Sequence, residues 1–92
     1  MTAGKLDLSA IDPPQQPGVY IFRDGRKRPI YIGKAKSLKD RLLQYAQKAL
    51  PTKTMLMLAA AKSVDWIVLK SEMEALLTES AMVRTYLPKY NI

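Results

Sequence analysis

The chain has 92 residues, enough for one domain with a modest core, and 48% of them are hydrophobic, so a folded globule is expected. It contains no cysteine and no histidine, which excludes disulfide frameworks, zinc–thiolate sites and every mechanism that needs an imidazole. The net charge of +7 is concentrated: nine basic residues (Arg23, Arg26, Lys27, Arg28, Lys34, Lys36, Lys39, Arg41 and Lys48) face only Asp24 and Asp40 between positions 23 and 48. A solvated basic surface would read the same way, but tyrosines and a glycine fall in the same stretch. Together they favour a polyanionic partner, most simply a nucleic acid. No run of about 18 apolar residues is present, and no apolar stretch follows a basic start. A cytoplasmic chain without a membrane span is therefore expected.

Residues 1–16 read as a loosely held lead-in. Leu6, Leu8 and Ile11 fit one helical turn, which Asp12-Pro13-Pro14 stops. The domain proper is expected over residues 17–92. Pro17-Gly18 launches a strand in which Tyr20 and Phe22 share one face and Val19 and Ile21 the other. A second run, Ile30-Tyr31-Ile32, lies beyond a basic loop built on Asp24-Gly25, and the pair predicts a hairpin with a D-G turn. Gly33 and the lysines at 34 and 36 end this strand just before a helix start. Two phenols, a close-approach glycine and positive charge are thus placed near one spot, the candidate active site.

Ser37 with Asp40 three residues on forms a helix-opening cap, and the helix should run from Leu38 to about Leu50, where Pro51 stops it. Leu38, Leu42, Ala46 and Ala49 recur at helical spacing and are expected to face the core; Arg41 and Tyr45, four apart, are neighbours on an adjoining face. Thr52 or Thr54 should cap a second helix through Ala61. Its consecutive Met55-Leu56-Met57-Leu58 predicts core packing and no chemistry. Trp66-Ile67-Val68-Leu69 predicts a third strand, central in the sheet because nothing polar interrupts it.

Ser71 with Glu74 opens a last helix to about Tyr86, before Pro88. Within it Glu79 has Ala75, Leu76, Met82, Val83 and Tyr86 at helical spacing. A carboxylate centred on such a stripe needs a salt bridge (Lys34 or Arg41 are the candidates), hydrogen bonds or a metal ion, because burying it alone is costly. The chain closes on Pro88-Lys89-Tyr90-Asn91-Ile92, which suggests a domain cut from a longer protein. The order β-β-α-α-β-α predicts a small α/β (α+β) sandwich, three strands with helices on its faces.

These residues resemble the GIY-YIG nuclease superfamily. Gly18-Val19-Tyr20 stands in the GIY position and Tyr31-Ile32-Gly33 in the YIG position. The match is closest to the UvrC branch, the N-terminal domains of the C subunit of excinuclease ABC. It is carried further by Gly33-Lys34-Ala35-Lys36-Ser37-Leu38, Asp40-Arg41-Leu42, Glu74-Ala75-Leu76-Leu77, Glu79 and Lys89-Tyr90-Asn91-Ile92. The resemblance implies a three-stranded antiparallel sheet flanked by helices, and a DNA endonuclease that makes the 3′ incision of nucleotide excision repair. It implies one divalent metal ion, Mg²⁺ or Mn²⁺. Tyr31 would be the general base, Tyr20 its supporting phenol and Tyr45 a further active-site tyrosine. Lys34 and Arg41 would lie near the scissile phosphate, with Arg41 stabilising transition-state charge. Glu79 would be the sole protein ligand of the metal, and Asn91 would help to position the phosphate. Damaged duplex DNA is the implied substrate, with a UvrB-type partner engaged through regions outside this chain and the domain itself monomeric.

The chemistry is consistent with the residues. A tyrosine near pKa ~10 becomes an effective base only where cations lower that value, which Lys34, Arg41 and a metal would do. One carboxylate plus waters suits a hard divalent cation. Gly33 would let a phosphate approach the backbone, while Lys36, Lys39, Arg26, Lys27 and Arg28 would contact the DNA backbone without reading sequence. Three alternatives stand beside this reading: a stand-alone GIY-YIG structure-specific endonuclease, a non-catalytic nucleic-acid-binding module on the same fold, and a basic domain that engages a protein.

Overall fold

A computed structural model describes residues 6–91 of the chain, so the first five residues of the lead-in, and Ile92 of the closing motif, lie outside the described residues. Three strands, β1 (Gly18–Arg23), β2 (Pro29–Ala35) and β3 (Ser63–Val68), form one antiparallel sheet in the order β2-β1-β3. Three helices, α1 (Leu38–Gln44), α2 (Thr52–Ala60) and α3 (Glu72–Tyr86), flank it. Single 3-10 turns lie at Leu8–Ala10 and Lys89–Asn91. Among the described residues no helix is long and apolar enough to cross a membrane.

The strand expected to be central is an edge. β1 takes the middle because its residues are apolar on both faces: Val19 through Phe22 are all buried, and β2 and β3 pair with its two sides. β3 starts three residues earlier than Trp66 and so includes Asp65, which sits opposite Ile21 and pairs with Arg23 at 2.7 Å. A strand that carries an exposed ion pair suits an edge. The alternation in β1 sorts the core into two layers, as its sequence predicts. Tyr20 and Phe22 pack with Leu38, Leu42, Met57 and Val64, whereas Val19 and Ile21 pack with Ile32 and Ala75 of α3. Gly18 is required by a close approach, since a Cβ there would run into the Ile67 carbonyl and meet Leu38 Cδ1 at 2.7 Å.

The hairpin is present, but its turn is not the two-residue D-G type. Asp24 occupies the first position, with its carbonyl accepting the Lys27 N–H at 3.0 Å, and the residue with positive φ is Lys27 (63°), not Gly25. The Asp24 carboxylate stabilises this longer loop by accepting the N–H groups of Arg26 (2.9 Å) and Arg28 (3.0 Å). The strand register shifts between Phe22 and Arg23 to accommodate it.

α1 is shorter than its spacing predicts. Ser37 caps it through the Asp40 N–H, but the helix ends at Gln44, and the N–H groups of Tyr45, Ala46 and Gln47 bond three residues back. That tightening turns Tyr45 toward β1 and leaves Ala46 and Ala49 exposed instead of in the core. Neither Thr52 nor Thr54 caps α2: Pro51 holds the cap position without a side-chain hydrogen bond. Of its apolar run only Met57 is buried, while Met55 and Leu56 are exposed, so the helix covers the core with a single side. Residues 6–16 are anchored: Leu6, Leu8 and Ile11 pack on the core, and the carbonyls of Pro14 and Gln16 accept the N–H groups of Lys39 and Leu38.

Candidate active site

The tyrosines predicted from the two motifs come together on one face of the sheet. Tyr20 faces Gly33 across the β1–β2 pair and Phe22 faces Tyr31, so all four share the side covered by α1 and α2. The Tyr20 ring lies over Gly33, where a Cβ would collide with it. The glycine is therefore required by the tyrosine, and the face expected to receive a phosphate is covered by that ring. Tyr20 is 1% exposed and its hydroxyl is 2.7 Å from that of Tyr45, which the tightened end of α1 delivers. The ring centroid of Tyr31 is 6.2 Å from that of Tyr20, and Tyr45 stacks edge-on against both Tyr20 and Phe22.

Burial pushes the Tyr20 phenol far above its ordinary value, helped by the neighbouring Tyr45 and its hydrogen bond. Burial also pushes Tyr45 up, to about 12, although the hydrogen bond with Tyr20 pulls it the other way. Either hydroxyl can be the donor in that 2.7 Å hydrogen bond. The Arg41 guanidinium lowers both phenols, but desolvation outweighs it at each. Tyr20 and Tyr45 are thus neutral phenols at physiological pH, and Tyr31 is half-buried beside Tyr20 at the edge of the cluster.

The charged residues divide differently. Lys34 pairs with Val19 in register, which turns it to the α3 side of the sheet. There it lines a cleft of about 220 Å³ with Arg41, Lys36, Glu72 and Ala75. Arg41 both lines that cleft and acts on the phenols, so it links the two sides around the β2 edge. Lys36 is at the fringe, 4.0 Å from Glu72. Two expected DNA-contact groups lie elsewhere. Arg26, Lys27 and Arg28 occupy the hairpin tip, six or more residues from Lys34 and so roughly 20 Å along β2, with Arg28 paired to Asp24 at 3.0 Å. Lys39 flanks a hollow formed by Leu8, Ile11 and Leu43. The basic residues that look continuous in the sequence are therefore split by the length of the strand.

Glu79 sits one turn beyond Ala75 on α3, half-buried rather than buried, because Leu76 and Tyr86 of its apolar stripe are themselves exposed. Its carboxylate makes no hydrogen bond or ion pair among the described residues, so the salt bridge to Lys34 or Arg41 considered from sequence does not form. No cluster of three or more metal-type ligands exists among the described residues. A lone carboxylate with both oxygens available fits a hard divalent cation that keeps most of its waters. Asn91 does something other than face a phosphate: its Oδ1 accepts the Ile32 N–H at 2.9 Å and its Nδ2 donates to the Ile32 carbonyl at 2.8 Å. The side chain closes the outer edge of β2 beside Tyr31 and Gly33. Sequence reasoning missed a cavity of about 180 Å³ lined by Tyr31, Tyr45, Lys53, Thr54, Met57 and Tyr90. Its one legible signal was the tyrosine of Lys89-Tyr90-Asn91.

A hairpin in which Tyr20 lies over Gly33 beside Tyr31, with an arginine from α1 acting on the phenols, is the arrangement of a GIY-YIG domain. The fold superposes with a TM-score of 0.81 and 40% identity on the GIY-YIG N-terminal endonuclease domain of UvrC from Thermotoga maritima bound to magnesium, covering 87% of this chain and 88% of that one. Residues 16–92 match the model of the UvrC-like GIY-YIG domain, and the chain belongs to that family. It is 41% identical to the UvrABC system protein C of Aquifex aeolicus over 97% of its own length, and 46% identical to that of Thermobifida fusca over 86%. The chain spans only 16% and 12% of those two relatives.

Proposed function

We propose that this chain is a divalent-metal-dependent endonuclease module that hydrolyses a DNA phosphodiester, making the 3′ incision of nucleotide excision repair in a UvrABC-type system. The observation that carries the reading is the placement of Tyr31: it stands beside a neutral, hydrogen-bonded Tyr20–Tyr45 pair, on which Arg41 acts from a cleft that also holds Lys34. Tyr31 takes the proton from the attacking water. Tyr20 and Tyr45, kept protonated by burial, hold its surroundings rigid and dry. Arg41 and Lys34 meet the negative charge that grows on the phosphoryl oxygens, a role worth several kcal/mol where water is excluded. Glu79 would hold the metal. Bound there, hydrated Mg²⁺ or Mn²⁺ supplies positive charge and Lewis acidity to the phosphodiester.

The magnesium-bound Thermotoga domain supports this assignment. Residues beyond this chain would supply the UvrB-type partner contact and the choice of damaged duplex DNA, in the cytoplasm, with the domain itself monomeric. The test is incision of a damaged duplex by the protein with its partner complex. Tyr31→Phe should cut at least about a hundredfold more slowly while its melting temperature stays within a few degrees of wild type. Cutting at the wild-type rate would remove Tyr31 from the chemistry.

A further inference from the structure

The cavity beside Tyr31 has no role in the chemistry above. Its floor is Met57, buried and soft; its walls include the Tyr45 and Tyr90 rings; Thr54 supplies a hydroxyl at its rim. At about 180 Å³ it is smaller than the roughly 300–1,000 Å³ of a pocket for a whole small molecule, and it suits one planar heterocycle. A second concavity near the site is the cleft of Lys34 and Arg41, which is cationic and suited to phosphates. Tyr31 lines the cavity, and Arg41, which lines the cleft, acts on Tyr45 in the cavity wall. We propose that the cavity receives one unstacked nucleobase of the cut strand, that of the nucleotide adjoining the scissile phosphate, against the aromatic walls of Tyr90 and Tyr45. This rests on the nuclease reading for the location of the scissile phosphate. Stacking on aromatic faces is tolerant of base identity, and the cavity's lining is mainly aromatic, with Lys53 and Thr54 beside Tyr31, Tyr45 and Tyr90. The site would therefore grip the strand without reading sequence. It would also favour DNA in which that base is already unpaired.

The probe is a pentanucleotide of abasic residues carrying a single 2-aminopurine, compared with the fully abasic strand. Binding is followed by fluorescence and competition in EDTA with the Glu79→Gln variant, so that neither cutting nor metal enters. The base should tighten binding roughly five- to a hundredfold and its fluorescence should be quenched. The advantage should persist in Tyr90→Phe and vanish in Tyr90→Ala. It should vanish also in Thr54→Phe, which fills the cavity without removing a core contact and so covers the case in which Tyr90→Ala fails to fold. Equal binding of the two strands, or an undiminished advantage in Thr54→Phe, would overturn the proposal. Failure of the nuclease reading would show separately, as metal-dependent cutting that ignores Tyr31 or Glu79.

Discussion

Along β2 the sheet is closed by the Asn91 amide, which occupies both polar groups of Ile32, whereas along β3 Ile67 and Val68 stand 40% and 46% exposed. The cationic cleft and the tyrosine cluster lie beside the first edge: Tyr31, Gly33 and Lys34 belong to β2, Arg41 comes to the cleft from α1, and Asn91 closes the strand from the last turn. The β3 edge carries a surface ion pair and no candidate. An edge strand is a useful place for a site because groups on both faces of the sheet can reach around it. It is also the least constrained part of a sheet. Closing β2 with a side chain from the last turn resolves that conflict, and it explains why residues far apart in sequence serve one short strand.

The contrast can be broken most severely at Gly33. A Cβ there has nowhere to go, because the Tyr20 ring against it is fully buried. Gly33→Ala should cost about 3 kcal/mol, at the upper end of overpacking effects, and lower the melting temperature on the order of 15 °C. On the other edge, Val68→Thr should change stability by no more than about 0.5 kcal/mol in the same thermal melt. Comparable losses at the two positions would remove the distinction between the edges.

Next in size is the edge closure itself. Asn91→Ala leaves the Ile32 N–H and carbonyl without their partners and should cost about 2 kcal/mol, with amide exchange accelerated at Ile32 and not in β3. Unchanged protection at Ile32 would mean that the 3-10 turn, and not the amide, holds the edge.

A smaller effect should appear at alkaline pH. Tyr45 has its folded pKa pushed up to about 12 by burial, above the ordinary value near ~10. Between these values the unfolded chain has released the proton and the folded chain has kept it. The stability present below about pH 10 is therefore lost as pH rises toward 12. Tyr20 adds in the same direction, its pKa being raised as well. Denaturant midpoints should decline over that window, and the decline should be shallower in Tyr45→Phe. A midpoint independent of pH there would contradict the buried phenol pair.

The least effect belongs to the hairpin tip. Lys27 adopts a φ of 63°, which glycine accepts more readily. Lys27→Gly should raise stability by up to about 1 kcal/mol in a denaturant titration. It should leave the site unaffected, given the distance along β2. A loss of stability would show that the loop is held by the Lys27 side chain itself.

Much of this was legible in the chain, and the failures have local causes. The alternation in Val19-Tyr20-Ile21-Phe22 gave the two core layers because a strand's faces follow from its two-residue period. The serine caps at 37 and 71 were readable because each bond is made three residues away. Strand order was not readable: Trp66-Ile67-Val68 looks as apolar as β1, and only pairing decides which strand lies between the others. The end of α1 was misplaced because Ala46 and Ala49 fit the helical period, yet Tyr45 gains its partner Tyr20 only when the last turn tightens. The roles of Gly33 and Asn91 were also hidden, since one depends on a ring from the neighbouring strand and the other on a backbone 59 residues away. Glu79 stands out in the sequence as a carboxylate among apolar residues, but its half-exposure depends on how little of α3 the sheet covers.

The most direct test of the β2-edge site as a metal centre is anomalous scattering from crystals soaked in Mn²⁺, for wild type and for Glu79→Gln. The account predicts one peak beside Glu79 in the wild type and none in the variant, with the fold unchanged. Absence of a peak, or a peak that survives the substitution, would contradict it.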